Sequence, residues 1–217
     1  MDLRGYQTDL IADVRDAWGQ GALNVMAVLP TGGGKTVCFG TILREHNGAS
    51  CAIAHRSELV GQMSTTLAKL QVRHRIIAPV GTIRDIVTRH MHETGRSWHD
   101  PMAPAAVAGV DTLIKRDLGS WAEQVTLWVT DECQHLLASN KWGKGVSLFP
   151  NARGLGVTAT PVRADGRGLG RGSDGLIDRM VLGPTMRELI DAGYLTDYRI
   201  FAPASDINLA NVPVSDT

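Results

Sequence analysis

The stretch Asn24-Val25-Met26-Ala27-Val28-Leu29-Pro30-Thr31-Gly32-Gly33-Gly34-Lys35-Thr36 decides the fold. Residues 24–29 form a short apolar run of strand length that stops at a glycine cluster. From Lys35 to Glu45 the sequence suits a helix, so the glycines sit between a predicted strand and a predicted helix. Side-chain-free residues let backbone N–H groups close around phosphate oxygens, and the helix start adds its partial positive charge. Thr31, Gly32, Gly33 and Gly34 would form that cradle. Lys35 would reach the β- and γ-phosphates of a nucleotide, and the Thr36 hydroxyl would ligate Mg²⁺. Leu29 stands where the general pattern G-x-x-x-x-G-K-[ST] has its first glycine.

Outward from this loop, helix and strand patterns alternate. Residues 7–18 carry Leu10, Ile11, Val14 and Trp18 at helical spacing, and Leu59, Val60, Met63, Leu67 and Leu70 mark the inner face of another helix. Residues 50–54, 75–78, 105–110, 125–130 and 154–158 read as further strands. The alternation predicts an α/β fold, a mostly parallel sheet with helices on both faces and ligands at the carboxyl ends of its strands. Asp131 and Glu132 follow the apolar run VTLWVT and would emerge at one such end. Asp131 is the candidate Mg²⁺ ligand, and Glu132 the base that takes a proton from an attacking water; with Lys35 they are the candidate catalytic groups.

Composition bounds what else the chain does. In 217 residues, Lys plus Arg and Asp plus Glu both number 22, which excludes nucleic-acid binding by bulk positive charge and leaves only a local contact. The 43% hydrophobic content is that of one ordinary globular core. No run approaches the ~20 apolar residues of a membrane helix, and the start lacks a signal-peptide core, so a cytoplasmic protein is expected. Cys38, Cys51 and Cys133 lie in apolar segments without a C-x-x-C pair and read as small core fillers. Residues 88–104, with His90, His92, His99 and Pro101, read as a polar surface connection. Residues 203–217 read as a linker or tail, which leaves 1–202 as the domain.

The loop and the acidic pair, together with Thr158-Ala159-Thr160-Pro161, resemble the first motor domain of superfamily 2 helicases, the DEAD/DEAH-box group. Pro-Thr-Gly-Gly-Gly-Lys-Thr looks like that family's motif I, Asp131-Glu132-Cys133-Gln134 like motif II, and Thr158 to Pro161 like motif III. Leu3-Arg4-Gly5-Tyr6-Gln7 looks like the adenine-reading element of the restriction-enzyme-type branch, which implies cofactor roles for Arg4 and Gln7. Ala54 to Leu59 and Val110 to Leu113 are similar to strand-contacting segments, which implies that Arg56 and Thr112 touch nucleic acid. Further on, D-G-R-G-L-G and G-P-T-M-R-E-L-I-D-A-G-Y-L look like phage and bacterial DNA helicases.

The resemblance implies a RecA-like ATP-binding domain using ATP and Mg²⁺, with DNA preferred over RNA as the nucleic-acid partner. Gln134, Thr158 and Thr160 would couple the nucleotide state to nucleic-acid grip. Gln134 departs from the family's usual Asp or His, yet its amide can still bridge two motifs. A full motor also has a second RecA-like domain with an arginine finger, which the residues after Pro203 are too few to supply. The domain is therefore expected to be a weak ATP hydrolase alone, since that finger is worth ~10³–10⁵ in rate. A regulatory module that keeps the fold without turnover is the alternative. A P-loop kinase is disfavoured by TATP and by Gln7.

Two patterns are set aside. Gly170 to Gly175 satisfies G-x-G-x-x-G but follows no strand, so with Arg163, Arg167 and Arg171 it reads as a mobile basic loop. His90, His92 and His99 with Glu93 and Asp100 lack metal-ligand spacing. Trp18 and Trp128 read as core, whereas the sequence does not place Trp98 or Trp142.

Overall fold

The computed structural model describes residues 3–163, 165–199 and 201. The expected boundary at 202 and the tail 203–217 lie outside the described residues. In chain order the elements are α1 (Gly5–Gly19), β1 (Asn24–Val28), α2 (Lys35–Glu45), β2 (Ala49–Ala54), α3 (Ser57–Lys69), β3 (His74–Ile77), α4 (Val80–Thr94) and β4 (Ala105–Gly109). There follow α5 (Val110–Leu113), α6 (Trp121–Gln124), β5 (Val125–Asp131), α7 (Lys141–Val146), β6 (Arg153–Thr158), β7 (Arg179–Leu182) and α8 (Met186–Asp191). Single 3₁₀ turns lie at Cys133–His135 and Arg171–Ser173.

The strands form one seven-stranded sheet in the order β3-β4-β2-β5-β6-β1-β7, and every pair is parallel. Its cores follow from the two-residue period of a strand. Val25, Ala27, Ala52, Leu127 and Val129 face one cluster with Leu10 and Val14 of α1, Phe39 of α2, Leu67 of α3 and Ile86 of α4. The residues between them, Met26, Cys51, Ile53 and Trp128, face a second cluster with Leu113, Trp121, Trp142 and Phe149. Gly154 sits opposite Trp128 in the register, and a Cβ there would meet the indole ring at 2.0 Å, so only glycine lets that ring lie across the strand. All three cysteines are buried and free, and burial pushes their thiols up, Cys38 to about 11, which fits inert fillers.

Three expectations are corrected. Residues 88–94 continue α4, and only 95–104 form a connection. His90 is fully buried, because its ring accepts the Trp98 N–H at 3.3 Å and meets the Ser64 hydroxyl at 3.0 Å; that pairing outweighs the polarity of its sequence neighbours. Among the described residues no group of three or more His, Cys, Asp or Glu is placed to hold a metal. Trp98 and Trp142 are both core. The basic loop is tied down where it was expected to be mobile: Arg163 is 8% exposed, donates to the Gly168 and Ser173 carbonyls and pairs with Asp165, while Arg171 pairs with Asp178.

Candidate nucleotide and nucleic-acid site

Because every strand runs the same way, their carboxyl ends gather on one edge of the sheet. The glycine loop leaves β1 there, and two of its glycines are left-handed: Gly32 at φ +81° and Gly34 at φ +87°, the latter capping α2. Gly33 N–H donates to the Pro30 carbonyl at 3.0 Å, closing the loop. From behind, the Gly33 carbonyl accepts from the Tyr6 hydroxyl at 2.9 Å and from Gln7 Nε2 at 3.1 Å. A Cβ on Gly34 would lie 2.4 Å from Gln7 Nε2, so the loop and α1 approach more closely than any side chain allows. Gln7 is 4% exposed, and its Oε1 accepts the Arg4 N–H at 3.0 Å. An amide has two donors and two acceptor sites, so one of each remains on Gln7. Lys35 is half-buried and donates to the Leu29 carbonyl at 3.3 Å.

Asp131 ends β5 and Glu132 follows it; β5 is one strand removed from β1, and β6 lies between them. This inserts Thr158 and Thr160 between the loop and the carboxylates. Burial raises the Asp131 pKa above the ordinary carboxylate range, the Glu132 charge pushes the same way, and the Glu132 N–H and Lys35 oppose it. Asp131 Oδ1 accepts that N–H at 3.0 Å. Glu132 adopts the left-handed region, φ +53°, ψ +48°, a conformation rare for a side-chain-bearing residue and concentrated at working sites. Gln134 Nε2 then donates to Glu132 Oε2 at 2.8 Å, and the Thr158 hydroxyl donates to Gln134 Oε1 at 2.6 Å. Thr160 N–H closes the chain on Thr158 Oγ1 at 3.0 Å. Glutamine at 134 thus bridges a carboxylate and a hydroxyl, with its donor to one and its acceptor to the other.

Asp131 at the end of β5 and Thr36 in the first turn of α2 are the donors this edge could offer a divalent cation, with Glu132 tied to Gln134. That donor set is too small to cage Ca²⁺ and suits Mg²⁺, which keeps several waters and takes phosphate oxygens for the rest.

Arg56 and Thr112 come together although they are 56 positions apart in sequence. Both line a cavity of about 140 Å³ with His55, Ser57, Pro79 and Asp111. Arg56 is exposed and caps α3, Pro79 caps α4, and the N-termini of these two long helices border the same cavity. Lys141 pairs with Asp111 at 2.9 Å and so neutralises the acid beside Thr112. His55 stacks edge-on to Trp142 at 6.0 Å, and burial with the nearby Arg56 charge keeps its pKa low.

The sequence reading overlooked Tyr6, Tyr194 and Lys141. Tyr6 lies inside the quoted Leu3–Gln7 element, where its apolar ring gave no hint that its hydroxyl would reach 27 residues along the chain. Tyr194 and Lys141 carry no pattern, because their partners lie on distant elements.

The fold is RecA-like, and the family match with the relatives makes this a domain of the superfamily 2 helicase kind, related to the DEAD/DEAH-box and restriction-enzyme helicases. The chain belongs to the family described as "Type III restriction enzyme, res subunit", whose pattern matches residues 1–163. It is 26% identical over 226 aligned positions to the Saccharomyces cerevisiae protein named "Putative ATP-dependent helicase IRC3", covering 97% of this chain and 30% of the yeast protein. The UvsW helicase from bacteriophage T4 has the same fold, with a TM-score of 0.57 at 17% identity over 84% of this chain and 60% of that one. The Hef helicase domain of Pyrococcus furiosus also gives a TM-score of 0.57, at 19% identity over 83% of this chain and 38% of that one. The chain thus spans less than two thirds of these relatives. Among the described residues no helix is long and apolar enough to cross a membrane.

Proposed function

We propose that this domain is the ATP-binding half of a nucleic-acid motor: it binds Mg·ATP and, with a second RecA-like domain, hydrolyses it to ADP and phosphate to move on or unwind DNA. The observation that carries this reading is the hydrogen-bonded chain from Glu132 through Gln134 to Thr158, at the sheet edge that also bears the glycine loop. The backbone N–H groups of Thr31, Gly32 and Gly34, with that of Gly33 closing the loop on Pro30, hold the phosphates, and Lys35 leaves the Leu29 carbonyl to reach them. The remaining donor and acceptor of Gln7 match the acceptor–donor pair that adenine presents at N7 and N6. Thr36 and Asp131 hold Mg²⁺, which when bound neutralises charge building on the phosphates. The Asp131 carboxyl, raised by burial, regains its ionised form beside a cation.

Glu132 accepts the proton of the water that attacks the terminal phosphorus as the bond to ADP breaks. Gln134 reports that change to Thr158 at the end of β6 and through it to Thr160. Arg56, Thr112 and the starts of α3 and α4 take backbone phosphates of the strand, so binding is indifferent to sequence. DNA is favoured over RNA by the resemblance to DNA helicases.

The test joins the domain to a second RecA-like domain and measures phosphate release with single-stranded DNA or RNA. Turnover stimulated more by DNA, and lost by ~10²-fold or more in Glu132→Gln while nucleotide affinity persists, is expected. Equal turnover in the variant contradicts the assignment of the base. Nucleotide binding without any turnover favours the regulatory module.

A further inference from the structure

The chain segment after α8 wraps behind the glycine loop. A capping box fixes the start of that helix, with Thr185 N–H donating to Glu188 Oε2 at 2.7 Å, and Leu189 is rooted in the core. Gly193, at φ +74°, reverses the chain, and the Tyr194 and Leu195 N–H groups both donate to the Leu189 carbonyl, at 2.8 and 3.1 Å. Leu195 is thereby pressed against Gly32, where a Cβ would lie 2.9 Å from its methyl. The Tyr194 ring meets Tyr6 edge-on at 5.1 Å and lies under the Arg4 guanidinium at 5.0 Å. Arg4 also donates to the Tyr6 hydroxyl at 3.1 Å, and that hydroxyl donates on to Gly33.

We infer that Tyr194 is a positioning residue of the nucleotide site: it holds the Arg4 guanidinium in one place, so that the purine is bound well, and it leaves the grip on the phosphates untouched. This rests on the Mg·ATP reading above. An exposed arginine samples many rotamers, and stacking on one ring with one N–H fixed to Tyr6 removes most of them before the base arrives. Of the five guanidinium N–H donors the structure uses one, to Tyr6, and the guanidinium carbon lies over the Tyr194 ring, which leaves the remaining donors for the base. Among the described residues the Tyr194 hydroxyl makes no side-chain hydrogen bond, so its ring is what matters.

Titration calorimetry with Mg·ADP and with Mg·pyrophosphate separates base from phosphate. Tyr194→Ala is expected to weaken ADP by about 5- to 20-fold, the worth of a lost cation–π and aromatic pair, and to leave pyrophosphate within about 2-fold. Tyr194→Phe keeps the ring and should restore ADP affinity. Arg4→Ala should match Tyr194→Ala, and because one residue acts through the other, the double variant should be no weaker than Arg4→Ala alone. The inference is overturned if Tyr194→Ala weakens both ligands equally or neither, or if the two effects multiply. Wild-type protein that binds neither ligand overturns the nucleotide reading itself; wild-type ADP binding that Tyr194→Ala leaves intact overturns this inference alone.

Discussion

Two hydrogen-bonded side-chain clusters in this domain, one buried and one half-buried, have opposite designs. On the β3 side, the His74 Nδ1–H donates to the Val72 carbonyl at 2.9 Å, Ser64 joins the His74 and His90 rings at 2.6 and 3.0 Å, and His90 accepts the Trp98 N–H. Both ends of that chain stop at the backbone. At the carboxyl edge of the sheet, the chain Thr158–Gln134–Glu132 ends on a carboxylate with lone pairs to spare, mounted on a left-handed backbone. A closed network can only stabilise; an open one on a strained residue keeps a valence for a ligand. The Ser–His cluster is structural for that reason, though its residue types taken alone suggest chemistry.

Acid acts most strongly on the Ser–His cluster. Burial holds the His74 imidazole down to about 4, against an ordinary value of 6.5, so the unfolded chain takes up the proton first. Its contribution is complete above pH 6.5 and is lost as pH falls towards 4, by about 3 kcal/mol in all. Denaturant melts between pH 7 and 4 should show this loss, and His74→Gln should flatten it. Ser64→Ala leaves two ring nitrogens without a partner and should cost about 1–3 kcal/mol with unchanged nucleotide affinity. Altered ADP binding in that variant would join the two clusters and undo the contrast. In the open network Gln134→Ala should cost at most about 1 kcal/mol, since Glu132 is only half-buried and the buried Thr158 hydroxyl keeps the Thr160 carbonyl at 3.2 Å as an acceptor, and should lower turnover of the joined motor while sparing ADP affinity. The smallest effect belongs to the strand cavity: Arg56→Ala should reduce the salt dependence of single-stranded DNA binding by one contact, ~0.7 in the log–log slope. Fluorescence anisotropy across a salt series measures it.

Legibility in the sequence followed the range of the interactions. β1, its glycine loop and α2 are neighbours in the chain, so periodicity and glycine placement alone located them. The edge strand β7 escaped because it is four residues long and largely exposed, which leaves no apolar run to read. Residues 88–94 of α4 read as part of a connection because their polarity hid the burial of His90, whose partner Ser64 is 26 positions away. The carboxylates were found from the apolar run before them, but the bridge through Gln134 depends on β6 entering the sheet between β5 and β1, an order no local pattern encodes. Tyr194 shows the same limit at greater distance: its ring matters only because the chain returns to Arg4 and Tyr6.

The glycine loop of residues 30–36 is the proposed nucleotide phosphate site. Titration calorimetry of Mg·ATP into wild-type protein and Lys35→Ala tests it most directly, because Lys35 gives up only a single 3.3 Å contact to the Leu29 carbonyl and the fold should survive its loss. Heat of binding in the wild type that vanishes in Lys35→Ala, with melting unchanged, is the expected result. Equal affinity in the two proteins would contradict it.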